Sequence, residues 1–207
     1  MLGIFPDAAR VRVVTQSASL IADRAVLATG AWSSELLRGL GLSGPVVPGK
    51  GYSFSAHPET MPSHNIQCGH SSVAATPLPG RLRIVGTVEF DGTYDTLNPG
   101  RIDLMRRGAE PYLAGIDWDA ITDEWVAPRP MTPDGLPLIG AVPGFERVIV
   151  ATGHNMLGLS QGPATARLVL AIMRGTGEAA AAAAFDPSRF GRGNRRGTRT
   201  REHDDER

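Results

Sequence analysis

The sequence predicts a mixed α/β fold, and three observations carry that reading. Two apolar runs, one ending in Ala28-Thr29-Gly30 and one spanning Arg147 to Thr152, each lead through glycine into a helical pattern. Between them lies a long proline- and glycine-rich stretch with short apolar runs and no helical period, which predicts an antiparallel sheet with long loops. The chain has 207 residues, 42% of them hydrophobic, enough for one substantial core or two small ones.

Arg10 to Thr15 alternates basic and apolar residues, and Leu20 to Ala28 follows the small polar stretch Gln16 to Ser19. The two runs predict neighbouring strands joined by a hairpin turn. The second runs into Trp32, after which Ser33 to Gly41 has the serine start, leucine spacing and glycine stop of a short helix. From Gly44 to Gly100 the runs Val46-Val47, Tyr52-Ser53-Phe54 and Leu82 to Phe90 supply the predicted sheet. Ile102, Met105, Ala109 and Leu113 recur at roughly helical spacing, which predicts a helix over Ile102 to Ile116. Trp118 to Ala127 is expected to return as a strand, although Asp119, Asp123 and Glu124 weaken its pattern. A proline-rich segment then leads to the β-branched run Arg147 to Thr152, read as a buried strand. Gly153 to Gly162 reads as a connection, Pro163 as the first residue of a helix, and Ala164 to Arg174 as its body, closed by Gly175. Ala179 to Ala184 extends that helix or forms a spacer. From Asp186 onward there is little to bury, which predicts disorder.

Charge and cysteine usage narrow the function classes. Lys plus Arg and Asp plus Glu each number 21, so no net field favours nucleic acid or an anionic membrane, and a small-molecule partner is expected. The single cysteine, Cys68, permits no intrachain disulfide, and nothing requires an oxidising compartment. The first residues lack the basic start and long apolar stretch of a signal peptide, and the longest apolar candidate, Leu168 to Met173, is too short to cross a bilayer. A cytoplasmic location is expected, with peripheral attachment at the inner face of a membrane left open.

Several motifs carry chemistry only in the right setting. Gly39, Gly41 and Gly44 match G-x-G-x-x-G, but they follow a helix, and Pro45 and Pro48 interrupt any helix after them, so they read as a helix exit. Gly158, Ser160 and Gly162 match the nucleophile elbow G-x-S-x-G. Yet six residues separate Thr152 from Leu159, where an elbow turns sharply, and the acid and histidine expected later in the chain come only from Asp186 onward and His203. His57, His64, Cys68 and His70 match no common zinc spacing, so no metal is expected. Lys50, the single lysine, reads either as an active-site cation or as a solvated charge.

Three separated segments, in order, resemble the carboxy-terminal half of the FAD-dependent D-amino acid oxidase superfamily, and within it the small subunit of the bacterial D-amino acid dehydrogenases. They are ADRAVLATGAWSSELLRGLGL followed by PVVPGKGYSFS, then RPMTPDGLPLIG, then VIVATGHNMLGLSQGPATARLVLAIM, together covering about Ala22 to Met173. The resemblance implies FAD as cofactor. It places Thr29, Gly30 and Trp32 beside the ADP portion, and Asn155, Met156, Gly158, Leu159 and Ser160 at the flavin, on a helix amino terminus that stabilises negative charge. Relatives often carry glycines where this chain has Asn155 and Met156. Arg129 matches the arginine that clamps the substrate α-carboxylate, for which a planar guanidinium suits a carboxylate fork. Tyr52 and Tyr94 are candidate hydroxyl donors to the same carboxylate, and the Met156 carbonyl a candidate acceptor for the amine.

The implied organisation is the carboxy-terminal part of a split FAD-binding domain (residues 1–43 and 129–178) enclosing an antiparallel substrate-binding sheet (44–128), with a disordered tail (179–207). The implied chemistry is hydride transfer from a D-amino acid to flavin, giving an imino acid that water hydrolyses to a 2-oxo acid. The electron acceptor and the substrate side chain stay open. In this family the pyrophosphate-binding strand, glycine turn and helix precede the matched segments. The chain is therefore expected to bind FAD weakly alone, to expose sheet edges, and to be a fragment or to be completed by another chain. A noncatalytic or partner-dependent subunit is the alternative; a glycine- or sarcosine-type amine oxidase and a serine hydrolase acting through Ser160 are further ones.

Overall fold

The computed structural model describes residues 3–176 and 183–191. Along the chain run β1 (Gly3–Pro6), β2 (Val11–Val14), β3 (Ser19–Ala22), β4 (Ala25–Leu27), α1 (Ser33–Gly39), β5 (Val47–Ala56), β6 (Ile66–Gln67), β7 (Val73–Leu78), β8 (Arg81–Glu89), α2 (Pro99–Ala109), β9 (Thr122–Met131), β10 (Leu138–Val142), β11 (Phe145–Thr152) and α3 (Gly158–Arg174). Short 3-10 turns occupy Gly30–Trp32, Ala183–Phe185 and Pro187–Phe190.

The strands form three sheets. β1, β2 and β3 make an antiparallel meander, and the hairpin turn expected at Gln16 to Ser19 joins β2 to β3. The run expected as one strand from Leu20 to Ala28 breaks at Asp23-Arg24. Its second half, β4, leaves the meander and pairs in parallel with β11, which pairs antiparallel with β10. Leu27, Val148 and Val150 of this second sheet pack with Leu37 of α1, Leu40 and Val11 in one core. The third sheet, in the order β6-β7-β8-β5-β9, is antiparallel throughout.

Alternation along the third sheet decides which face is core. Tyr52, Phe54 and Ala56 of β5, Leu82 and Ile84 of β8 and Val73 and Ala75 of β7 face α2, meeting Ile102, Met105 and Ala109. Each large side chain buried there contributes about 1.5–3 kcal/mol of apolar transfer free energy. The other face carries Gly49, Gly51, Ser53 and Ser55 of β5 beside Arg83 and Arg129 of its neighbours.

Several boundaries differ from expectation for identifiable reasons. α2 starts at Pro99 rather than Ile102, because Asn98 caps it by accepting from the Gly100 amide at 3.1 Å and Pro99 suits the first turn. α3 starts at Gly158, so Pro163 lies inside the helix instead of opening it. The amide that Pro163 lacks would pair with the carbonyl of Leu159, a residue 97% exposed, so the missing bond falls on the open side of the helix. β9 runs through the expected domain boundary at 128/129, so Arg129 belongs to the third sheet.

The disorder expected from Asp186 does not hold for residues 186–191. Pro187 is buried, and Arg189 pairs with Asp134 at 2.7 Å and donates to the Leu136 carbonyl at 2.8 Å, docking the segment against the approach to β10. The rest of that expectation, together with His203 and part of the alanine run, lies outside the described residues. Among the described residues, no helix is long and apolar enough to cross a membrane.

Candidate functional site

Arg129 is where the glycine and serine face of the third sheet acquires chemistry. Its side chain crosses β5 from β9, and a Cβ at Gly51 would fall on its guanidinium, so only glycine at 51 lets the guanidinium rest there. Nη1 donates a long bond, 3.4 Å, to the Thr87 carbonyl of β8. Arg129 forms no ion pair among the described residues. Burial pushes the guanidinium's pKa below its usual value. A half-buried cation without a counter-charge is a poor structural element and a ready receptor for an anion.

The cation lines a cavity of about 710 Å³ together with Gln67, Ser72, Val85, Thr87 and Met156. Met156 reaches it because the loop after β11 is pinned to the end of β9. Asn155 donates its backbone amide to the Pro130 carbonyl at 3.0 Å, and its Oδ1 accepts from the Thr132 amide at 3.1 Å. Its Nδ2 donates to the carbonyls of Gly135 at 2.9 Å and Gly153 at 3.2 Å. Asn155 sits at φ 53, a left-handed conformation that asparagine tolerates better than most residues. Asparagine therefore fits a position where relatives often carry glycine. Its side chain is spent on the scaffold, however, so only its placement of Met156 serves the cavity.

Gly158, Leu159 and Ser160 form the first turn of α3. No side chain caps that turn and no acidic residue lies in it, so its amides face outward without local acceptors. Ser160 Oγ donates to the Leu157 carbonyl at 3.1 Å, the local bond of a helix start. His154, its pKa lowered by burial, contacts Thr165 Oγ1 through Nε2 at 2.9 Å.

Thr29, Gly30 and Trp32 lie where β4 turns toward α1. A chain of hydroxyls secures the turn: Thr29 to Ser33 at 2.9 Å, Ser33 to Thr152 at 3.0 Å, and Thr152 to the Gly30 carbonyl at 3.1 Å. It ties the ends of the two parallel strands β4 and β11 together. Gly30 has φ 58 and a Cβ there would meet nothing within 4 Å, so the glycine serves the turn rather than close packing. Thr29 and the exposed Trp32 line a second cavity of about 670 Å³, with Phe5 and Glu35 on its walls.

The two tyrosines do not join Arg129. Tyr52 lies on the opposite face of β5, is 1% exposed, and bonds Glu89 through its hydroxyl. Lys50 on the same face is neither a solvated charge nor an open active-site cation. It is buried, paired with Asp91 at 2.7 Å and Glu89 at 3.2 Å, and it donates to Thr93 Oγ1 and the Thr96 carbonyl at 2.8 Å each. Burial opposes its charge, but bonds to Asp91, Glu89 and Tyr52 outweigh that and hold its pKa above the usual value. Glu89 is held down to about 2, chiefly by the Tyr52 bond, and Asp91 to about 2 by the Lys50 bond. This network clamps the loop of residues 90–98, which lays Tyr94 on Trp32 with ring centroids 5.5 Å apart and planes 15° from parallel. Tyr94 thus packs on Trp32 and is not among the residues lining the Arg129 cavity. Cys68 is buried, and among the described residues no group of three His, Cys, Asp or Glu stands close enough to hold a metal.

Comparison with known proteins sets this geometry in context. The family model described as DAO, FAD dependent oxidoreductase, matches residues 2–172. The chain is similar to a D-amino acid dehydrogenase of Bradyrhizobium diazoefficiens, 36% identical over an alignment of 184 positions that covers 83% of this chain and 42% of that protein. It is also similar to a glycine oxidase of Pseudomonas aeruginosa, 34% identical over 167 residues, 80% of this chain and 45% of the relative. Among solved structures, glycine oxidase from Geobacillus kaustophilus superposes with a TM-score of 0.81 at 26% identity, over 90% of this chain and 51% of that one. L-proline dehydrogenase from P. horikoshii, at 20% identity and a TM-score of 0.73 over 91% of this chain and 52% of its own, shares the fold. The chain spans less than half the length of the two sequence relatives.

Proposed function

The chain belongs to the DAO family of FAD-dependent oxidoreductases, and on that premise we propose that it carries the amino acid-binding half of a D-amino acid dehydrogenase. The observation that supports this most is Arg129, a half-buried guanidinium with no ion pair among the described residues, lining a cavity of about 710 Å³ beside Met156. A guanidinium edge offers paired donors to a carboxylate and stays charged at any working pH. In this reading Arg129 holds the α-carboxylate and the Met156 carbonyl accepts from the amine. The glycine-type reading that the Pseudomonas relative suggests is the alternative, and it shares the same carboxylate receptor.

The residues present fit FAD. The uncapped first turn of α3 offers amide donors to an electron-rich ligand edge, and the second cavity, between Thr29 and Glu35, offers an aromatic wall at Trp32. When bound, FAD supplies the hydride acceptor that no side chain can provide. The protein's own part is to fix the substrate by its carboxylate, to orient the α-carbon and to keep water from the reacting centre. Residues 1–43 and 129–178 would build the cofactor side and 44–128 most of the substrate side. α3 buries none of its residues fully, and Val26 of the β4 edge is exposed. The remaining half of the family architecture, on this chain or another, would cover that surface.

The test is an FAD titration of the purified chain, then anaerobic addition of D-alanine or glycine while flavin absorbance is followed, with Arg129→Ala as control. Bleaching by D-alanine that the variant loses supports the proposal. Bound flavin that bleaches with glycine but not D-alanine favours the glycine-type reading, and bleaching that persists in Arg129→Ala refutes the role of Arg129. A chain that binds no FAD alone is tested again with the remaining half supplied.

A further inference from the structure

Thr87 combines three features that ordinary strand residues lack. Its φ is 49, in the left-handed region that a β-branched side chain enters only under strain. The strain arises at an irregularity in the β5–β8 ladder, where Lys50 pairs with Glu89 but Tyr52 pairs with Gly86, so β8 carries one extra residue. Its Oγ1 is buried without a hydrogen-bond partner, a state shared among the described residues only with Gln161 Oε1. Thr87 also lines the Arg129 cavity, and its carbonyl accepts the one side-chain hydrogen bond that Arg129 makes among the described residues.

Each feature alone has an ordinary explanation, but together they are costly without return in the folded chain. Glycine would relieve the backbone and valine would remove the orphaned hydroxyl. Strained, unsatisfied groups persist where a ligand completes them. The hydroxyl belongs to a residue that lines the Arg129 cavity and whose carbonyl accepts from the guanidinium, so it stands on the wall of the space where a ligand held by Arg129 would sit. Since a guanidinium attracts anions, the group that Thr87 completes is an acceptor oxygen.

We propose that Thr87 is a substrate-binding residue whose Oγ1 donates to a carboxylate oxygen of the ligand held by Arg129. The inference rests on the reading of Arg129 as a carboxylate receptor and extends it: the bulge in β8 exists to present this hydroxyl. The carboxylate is then gripped from two strands, β9 through Arg129 and β8 through Thr87. A ligand with an amide or ester in its place offers Thr87 an acceptor but loses the ion pair.

The test uses propionate as a non-reacting carboxylate, with binding to the full chain followed by ligand-observed NMR and folding by thermal melting. Thr87→Val keeps the shape and removes the hydroxyl; it is expected to melt no lower than the parent and to bind propionate about ten- to a hundredfold more weakly. Thr87→Ser restores the hydroxyl and is expected to bind within about threefold of the parent, as no donor is lost. Thr87→Gly is expected to melt higher while binding as weakly as the valine variant. Parental affinity in Thr87→Val, or a melting point lowered there and restored by serine, overturns the proposal, because the hydroxyl then serves the fold or nothing. The carboxylate reading fails separately, and this proposal with it, if Arg129→Met leaves affinity intact or the parent chain binds no propionate.

Discussion

Replacing Arg129 by methionine separates a ligand-binding arginine from a structural one, because the two roles predict opposite effects on stability. The folded chain would lose a single hydrogen bond, the 3.4 Å contact from Nη1 to the Thr87 carbonyl. A bond of that length contributes at most about 0.5–1 kcal/mol. Against this, the variant no longer desolvates a half-buried charge that has no counter-ion among the described residues, and exchanging buried charge for apolar side chains of similar size is neutral or stabilising by about 1–4 kcal/mol. Arg129 is only partly buried, so the lower end applies. The net expectation lies between no change and about 1 kcal/mol of added stability, about 2–4 °C in Tm for a chain of this size. Urea unfolding monitored by tryptophan fluorescence reads this directly, with an unchanged slope confirming that the same surface unfolds. A loss of more than about 2 kcal/mol would show that Arg129 holds the sheet together, and the ligand reading would fall.

Two further outcomes are expected from the same geometry. Gly51→Ala places a methyl group where the Arg129 guanidinium rests. The flexible end of the arginine can move, so thermal stability is expected to change little while propionate affinity falls about tenfold or more; a collapse in stability would mean the guanidinium cannot yield. Acid should release the clamps. Glu89, Asp91 and Asp134 are each held to about 2 in the folded state, below ordinary values of 4.5, 3.8 and 3.8. Their contribution is complete above the unfolded pKa and is lost as pH falls from about 4.5 through about 2. Urea midpoints measured from pH 6 to pH 2 should hold level and then decline across that window, and Glu89→Gln should flatten part of the decline. An unaltered slope in that variant would refute the assignment.

What the sequence made legible was local. The polar turn before β3, the serine start of α1, the β-branched run of β11 and the glycine after α3 are signals carried within a few residues, and each element formed where they stood. β10 escaped because Leu138 to Val142 sits in a proline- and glycine-rich segment and becomes a strand only by pairing with β11. Long-range pairing was equally hidden. Lys50 meets Asp91 across 41 residues, and Arg189 meets Asp134 across 55, which is why a cation expected to be open is buried and residues 186–191, expected to be disordered, are docked. Tyr52 and Arg129 were assigned to one ligand by motif, but whether two strand residues share a face depends on register, and the register sets them on opposite sides.

One long-range fact was nevertheless written in the sequence. From Gly49 to Ala56, β5 alternates small residues, Gly49, Gly51, Ser53 and Ser55, with Lys50, Tyr52, Phe54 and Ala56. A strand whose two faces differ this way cannot pack both faces with its own side chains. The face of Lys50, Tyr52 and Phe54 makes the core and the ion clamp, while the small face leaves a trough that neighbouring strands must fill. They fill it with guanidinium groups: Arg129 lies over Gly51, and Arg83 donates to Ser53 at 2.6 Å and Ser55 at 3.1 Å. Arg83 is satisfied by those hydroxyls and by the Asp123 carbonyl, whereas Arg129, lying over a glycine, finds no acceptor on β5. The difference between serine and glycine beneath two similar side chains is what leaves one arginine structural and the other available to a ligand.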